Sequence, residues 1–411
     1  MTAAARSGAP IRVVGIGADG WAGLGERVKT VVEDSEVVFG SRRQLSLLPN
    51  GDFERVPWPT PLLPALPELL ARHHDRRLTV LASGDPMFYG IGVTLARLVG
   101  PGALDVYPQP SSASLACARL GWPLAETPVV SVVARPLATV LPELADRRRL
   151  LVLSENETTP VALAELLRDN GFGASTLTVL EQLGGERERL LTGTADDWPH
   201  PPGDPLNLCA VDCVADPDHP RRTRMPGLRD DSFTGDGQLT KAEVRALTVT
   251  ALAPAPGELL WDVGGGSGTI AIEWCRTHPA CRAVTYERLP ARREQIAANA
   301  HALGVPAVAV RGAFPEDLTG APAPDAVFLG GGLTQDGVFD ACWQRLRPGG
   351  RLVANAVTAE SEALLLAWCG RHGGVLRKFQ IYRGEPLGGF TAWRPQLPVA
   401  QWIVVKPFGN S

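Results

Sequence analysis

Residues 261–270 read WDVGGGSGTI: an apolar run ends on Asp262, and Gly264, Gly265, Gly266 and Gly268 then crowd around Ser267. A strand that turns through glycines into a helix is a nucleotide-binding arrangement. The missing Cβ atoms let backbone N–H groups at the helix N-terminus meet a ligand. Spacing narrows the ligand. A dinucleotide fingerprint G-x-G-x-x-G needs a third glycine at 269, where Thr269 stands, whereas the loop satisfies G-x-G-x-G. No Gly-Lys dipeptide occurs in the chain, which excludes a P-loop.

The next strand-like run, RAVTYE, ends on Glu287, 23 residues beyond Gly264, where a carboxylate can accept from both hydroxyls of a ribose. Gly312 and Ala313 close the following strand, and Asp325 with Gly330, Gly331 and Gly332 marks the one after it. Apart from Asp325, which opens its strand, these fall on the edge where open α/β sheets bind ligands. Together these residues resemble a class I S-adenosylmethionine (SAM) methyltransferase. Asp262, Gly264, Gly266, Ser267, Gly268, Glu287, Gly312, Ala313, Gly330 and Gly331 are then its cofactor-site candidates. A glycine-rich turn without a ligand leaves Glu287 and the triple glycine unexplained. The segment FLGGGLTQ lacks the (Asp/Asn)-Pro-Pro-aromatic motif of methyltransferases acting on base nitrogens, so nothing supports base methylation.

Working outward, β-rich runs alternate with helical ones from IRVVGI to LNLCAVDCV, which implies α/β layers. The rhythm stops after Val214. Residues 215–237, ADPDHPRRTRMPGLRDDSFTGDG, have no apolar period and read as a linker, and the alternation restarts at TKAEVRALTVTAL. The expected organisation is an α/β domain over 1–214, a linker over 215–237 and a second, Rossmann-like α/β domain over 238–411. The late runs GVLRKFQIY and VAQWIVVKPF look like two closing strands.

The first domain carries a competing signal. VVGIGADG holds Gly15, Gly17 and Gly20 in a literal G-x-G-x-x-G. The acid expected at the end of the second strand is absent, and EVVFG runs instead into Ser41, Arg42 and Arg43, arginines that could hold an NADP 2′-phosphate. An NADP-dependent oxidoreductase is therefore an open alternative. In LTVLASGDPMFYGIG, Gly84 permits close backbone approach, Asp85 can cap a helix and Pro86 suits a first helical position. GIGxxG, GDPMFYG and PSSASLACARLGWP together resemble the class III tetrapyrrole methylases of cobalamin biosynthesis. That resemblance implies SAM in a cleft between two α/β subdomains meeting near 110–130, with Ser83, Gly84, Asp85, Met87, Ser111 and Ser112 as cofactor-site candidates.

With MPGLRDDSFTGDGQLTKAEVRAL and RLVANAVTAESEALL added, essentially the whole chain resembles the bifunctional, decarboxylating precorrin C5,15-methyltransferases. The resemblance implies methylation of precorrin-6B at ring carbons 5 and 15 and loss of the carboxyl of the acetate on carbon 12, giving precorrin-8. It also places Gln238 and Thr240 near the methionine end of the second cofactor. A polycarboxylate tetrapyrrole needs cations, and Arg pairs well with carboxylates. Arg42 and Arg135 in the first domain, and Lys241, Arg245 and Arg394 in the second, are the substrate-binding candidates; no catalytic residue is assigned. A non-catalytic carrier of corrinoid intermediates is a further alternative. One departure stands out: where the first domain of these proteins reads Ser-Leu-His-Gly-Arg-Pro, this chain has Ser131-Val132-Val133-Ala134-Arg135-Pro136.

Composition limits the rest. With 411 residues, 45% of them hydrophobic, the chain can bury two or three cores. A net charge of −4 gives no excess of cations for nucleic acid. No run of 18 uncharged apolar residues and no signal-peptide pattern occurs, so no membrane partner and a cytoplasmic, homo-oligomeric protein are expected. Seven cysteines without a CxxC pair read as buried reduced thiols, and histidines without HxxxH or HExxH spacing give no metal site. The pair His73-His74 reads as a solvated helix end.

Overall fold

The computed structural model describes residues 9–235, 237 and 239–408. Two compact units emerge, one from the chain up to 137 together with 146–219, the other from 138–145 together with the chain from 220 onward.

The first unit contains two sheets. Strands β1 (Ile11–Ile16), β2 (Val37–Gly40), β3 (Glu54–Pro57), β4 (Leu78–Ser83) and β5 (Leu104–Tyr107) form a parallel sheet in the order β3-β2-β4-β1-β5. Residue alternation divides the apolar side chains between its faces. Ile11 and Val13 pack with Leu66 and Leu70 of α3 (Leu62–Arg72) and Leu95 of α4 (Ile91–Val99). Val14 and Ile16 pack with Val32 of α1 (Glu26–Glu33) and Leu45 of α2 (Arg42–Ser46). His73 does not stay in solvent. It is buried with its ring edge-on to Phe39 at 5.4 Å, because the end of α3 docks onto the sheet; His74 alone is exposed.

The second sheet has β6 (Val129–Ser131), β7 (Arg149–Leu153), β8 (Thr176–Glu181), β9 (Arg189–Thr194) and β10 (Asn207–Asp212) in the order β6-β7-β10-β8-β9, with only β6 and β7 parallel. Helix α5 (Ser112–Leu120) packs Ala113, Ala116 and Cys117 against Leu151, Leu180 and Leu208 of this sheet, and α6 (Thr159–Asp169) follows β7.

In the second unit, β11 (Leu259–Val263), β12 (Arg282–Tyr286), β13 (Ala309–Arg311), β14 (Ala326–Leu329) and β15 (Arg351–Ala356) run parallel. Two strands close the sheet: β19 (Val399–Val405) runs antiparallel to β15, and β16 (Val375–Phe379) pairs antiparallel with β19, giving the order β13-β12-β11-β14-β15-β19-β16. Helix α7 (Ala242–Leu252) leads into β11, and α8 (Thr269–Thr277), α9 (Pro290–Ala302), α10 (Val338–Arg345) and α11 (Ala359–His372) lie between later strands. A separate hairpin, β17 (Tyr382–Leu387) with β18 (Phe390–Pro395), lies between the closing strands.

Much of the expected linker is packed into this unit. Leu228 and Phe233 are buried. Glu273 of α8 accepts from the amides of Gly227 at 2.7 Å and Leu228 at 2.9 Å, and Arg224 donates to the Arg276 carbonyl at 2.7 Å. Charge, not apolar periodicity, anchors the segment, which is why its composition reads as free chain. The seven cysteines are unbonded, six of them buried, and burial pushes the Cys209 thiol up to about 12.

Candidate active sites

The glycine loop after β11 is built by its neighbours. Gly264 has φ +78°, and a Cβ there would stand 2.9 Å from the Cα and N of Gly331, so the two glycine loops meet backbone to backbone. The amides of Gly264 and Gly265 both donate to the Tyr286 carbonyl, at 3.1 and 3.0 Å, and the Gly330 amide donates to Val263 O at 3.2 Å. Glu287 sits just past the end of β12. Its Oε2 accepts from the Gly266 amide at 3.0 Å and its Oε1 from the Leu289 amide at 2.9 Å. The carboxylate thus shapes the loop, and each oxygen keeps lone-pair capacity for a hydroxyl donor. On the next strand, the Gly312 amide donates to Asp317 at 2.7 Å and the Asp317 amide to Ala313 O at 2.9 Å, a tight turn on the same sheet edge.

Beneath the loop, Asp262 is 1% exposed and accepts from Ala271 N and Thr285 Oγ1, both at 3.3 Å. Burial raises its carboxyl pKa to about 7. The folded state therefore keeps a proton that the unfolded chain releases from 3.8 upward. Between those two values this group makes the fold less stable as pH rises, and the loss levels off above the upper one. Asp262→Asn is expected to flatten this dependence; unfolding midpoints of wild type and variant that change in parallel from pH 4 to pH 7 would refute it.

Two further elements complete the second site. Asn299 of α9, 2% exposed, donates to Ser267 O at 3.1 Å and accepts from the Thr234 amide at 3.0 Å, tying the glycine loop to the segment before α7. Its only trace in the sequence is a polar residue on the buried face of a helix. Beside Gly330 opens a cavity of about 650 Å³ that Thr240 and Lys241 also line. Gln238 lies outside the described residues. Arg245, a candidate substrate ligand, does not line this cavity: it is fully buried, donates to Glu273 at 2.6 Å and Thr240 O at 2.5 Å, and lies over the Phe233 ring. Arg394 is on the exposed hairpin, 3.5 Å from Glu385, and does not line the cavity.

In the first unit, a cleft of about 690 Å³ is lined from both sheets. Gly15 abuts its floor, where a Cβ would fall 2.0 Å from the Gly84 carbonyl oxygen; the Gly84 amide donates to Ile16 O at 3.1 Å. This glycine is required where β1 meets the loop after β4, which gives the literal dinucleotide motif a packing role. Ser83, Gly84 and Ser112 line the cleft. Ser111 caps α5 by accepting from the Ser114 amide, and Asp85 accepts from the Met87 amide at 2.8 Å, so both shape loops beside the cleft rather than line it. Tyr89, at φ +54°, donates from its hydroxyl to Val129 O at 3.0 Å and so links the GDPMFYG loop to the second sheet.

The arginine in this cleft is Arg43, where Arg42 was expected. Arg42 heads α2 facing solvent, whereas Arg43 lines the cleft and donates to Ser83 Oγ at 3.0 Å. No described carboxylate lies within ion-pair distance of Arg43, and burial lowers its pKa. Arg135 is exposed in the turn after β6 and does not line the cleft.

Comparison with known proteins finds two families along the chain. Residues 10–199 match the family model of tetrapyrrole (corrin/porphyrin) methylases, and residues 231–406 match that of a precorrin methyltransferase domain. A decarboxylating precorrin-6Y C(5,15)-methyltransferase from Mycobacterium tuberculosis is 50% identical over 402 residues, 96% of this chain and all of the relative. The chain belongs to that family. A member from Sinorhizobium sp is 47% identical over 96% of both chains. A decarboxylating cobalt-precorrin-6B C(15)-methyltransferase from Salmonella typhimurium, 32% identical, matches 39% of this chain and 85% of its own length. Membership sets aside the oxidoreductase alternative.

Within this family the Val133-Ala134 departure acquires a structural meaning. Ala134 has φ +53°, a conformation suited to the glycine that the family pattern carries there, and the Arg135 amide still donates to Val132 O at 3.1 Å. The turn is kept, and Val133, 53% exposed, lines the cleft with an apolar side chain in place of an imidazole.

Proposed function

We propose that this chain acts in cobalamin biosynthesis as a SAM-dependent enzyme that methylates precorrin-6B at carbons 5 and 15 and removes the carboxyl of the carbon-12 acetate, giving precorrin-8. The observation that carries the reading is the presence of two glycine-built ligand sites, one per unit, each at the carboxyl ends of parallel strands. The first unit is assigned carbon 5 and the second carbon 15 with the decarboxylation. We assign the first methylase to 1–214 and give the second domain the packed chain from about 220 onward.

Bound SAM supplies an activated methyl group, so the residues here have to hold an electron-rich ring carbon in line and keep water away. In the second site, Gly264, Gly266, Ser267, Glu287 and Gly330 would hold the cofactor, and Thr240 with Lys241 faces the substrate side. In the first, Ser83, Gly84 and Ser112 fit the cofactor and Arg43 a carboxylate. Incubation with precorrin-6B and SAM, followed by mass spectrometry, should show two methyl groups gained and one carbon dioxide lost. Tight pigment binding without a mass change would favour the carrier instead.

Arg43→Ala is expected to weaken tetrapyrrole binding in the first site by about tenfold or more, since a hydrogen bond to a charged group contributes roughly 1.5–3 kcal/mol. Arg42→Ala should leave carbon-5 kinetics unchanged. Equal KM values for carbon-5 methylation in the two variants would remove Arg43 from the site.

A further inference from the structure

The cavity beside Gly330 has a divided lining. One wall is apolar: Val357 just past β15, Phe379 and Val399 of β16 and β19, and Ile381 and Leu397 from the chain between those two strands. Its polar groups are largely spoken for. Glu243 pairs with Arg383 at 2.7 Å, and Asn355 donates to Thr248 at 2.9 Å and accepts from Gln401 at 2.8 Å. Lys241, at the N-cap of α7, lines the other side, and no described residue forms an ion pair or hydrogen bond with its ammonium. Two other cations nearby are committed elsewhere, Arg245 to the buried contact with Glu273 and Arg383 to Glu243.

We propose that the apolar wall is the decarboxylation pocket, and that Lys241 holds a different carboxylate of the tetrapyrrole, orienting the macrocycle so that the acetate to be lost enters that wall. The proposal rests on the reading of this unit as the decarboxylating one. A carboxylate held by a cation is stabilised in its ground state, where charge is concentrated, more than in a transition state whose charge has moved into the ring. A carboxylate pressed against Phe379, Ile381 and the buried Val399 loses water without gaining a partner, which raises its ground state. The bond between the acetate methylene and its carboxylate breaks, the electron pair passes into the conjugated macrocycle, and carbon dioxide leaves. A proton from water then ends on the former methylene carbon, leaving a methyl group. Lys241 is accordingly a positioning residue.

The test uses the full chain with precorrin-6B and SAM, read as carbon dioxide released per methyl added at carbon 15. Leu397→Lys places a cation at the apolar wall on a residue that is 72% exposed, so the fold tolerates it. That ratio should fall by roughly tenfold or more, with a methylated, carboxyl-retaining product accumulating. Ile381→Asn, which adds polarity without charge, should lower it in the same direction. Lys241→Met should raise KM for the tetrapyrrole by about tenfold and leave the ratio at its wild-type value. A wild-type ratio in both wall variants would overturn the proposal, as would a Lys241→Met protein that methylates carbon 15 without releasing carbon dioxide. A wild-type chain that methylates carbon 15 but never releases carbon dioxide would instead refute the functional reading itself.

Discussion

Arg245→Met is expected to destabilise the second unit by about 3–5 kcal/mol, because it leaves Glu273 as a buried charge without its cationic partner. The two side chains are 0% and 1% exposed and meet at 2.6 Å. Glu273 also accepts the Gly227 and Leu228 amides, while Arg245 donates to the carbonyls of Leu228 and Thr240, so the pair stitches the lead-in chain to α8. Asp230 extends the stitch by accepting the Ala242 amide at 2.9 Å. Chemical denaturation of the full chain, followed by hydrogen exchange in 261–277, should show this segment opening at lower denaturant while amides of β1 and β4 are unchanged. A change under about 1 kcal/mol, the range of an exposed pair, would show the contact to be dispensable. The same variant should lower carbon-15 methylation even where it stays folded, since Arg245 fixes the backbone on which Thr240 and Lys241 stand.

That contact also marks where sequence reasoning reached its limit. The parallel strands and the helices between them are legible because burial on both faces writes long apolar runs such as LLWDV and AVFL. Strand β9 and the β17–β18 hairpin carry mostly exposed residues, and without a buried face they leave no periodic pattern. The glycine loop was readable because close approach admits few residues: Gly264 faces Gly331, and Gly15 faces Gly84. Substrate cations were harder. A guanidinium aimed at a ligand and one clamped in the core look alike in sequence. Arg42 and Arg43 are neighbours that the cap of α2 points in different directions, and the Ser41–Gln44 capping box sets that rotation. Arg245, two residues into the apolar helix period beside Val244, is drawn inward by an acid 28 positions away that no local window connects to it.

Glu287→Ala should weaken binding of S-adenosylhomocysteine to the second site by roughly 10- to 100-fold, because it removes a charged acceptor of hydrogen bonds that each contribute about 1.5–3 kcal/mol. The carboxylate accepts from Gly266 N at 3.0 Å and from Leu289 N at 2.9 Å, so its loss frees the glycine loop as well as any hydroxyl it would hold. Its own backbone position is set independently, by donation of the Glu287 amide to Arg311 O at 3.1 Å, so the sheet edge survives the change. Glu287→Gln, which keeps one acceptor oxygen, should fall between wild type and Ala. Calorimetry on the full chain supplies an internal control: the first site, proposed at Ser83 and Gly84, should bind as before, and carbon-5 methylation should persist while carbon-15 methylation drops. Two sites weakened together would mean that Glu287 acts on the fold as a whole. Two sites left unchanged would mean that its lone pairs serve only Gly266 and Leu289, and that the ribose is held elsewhere.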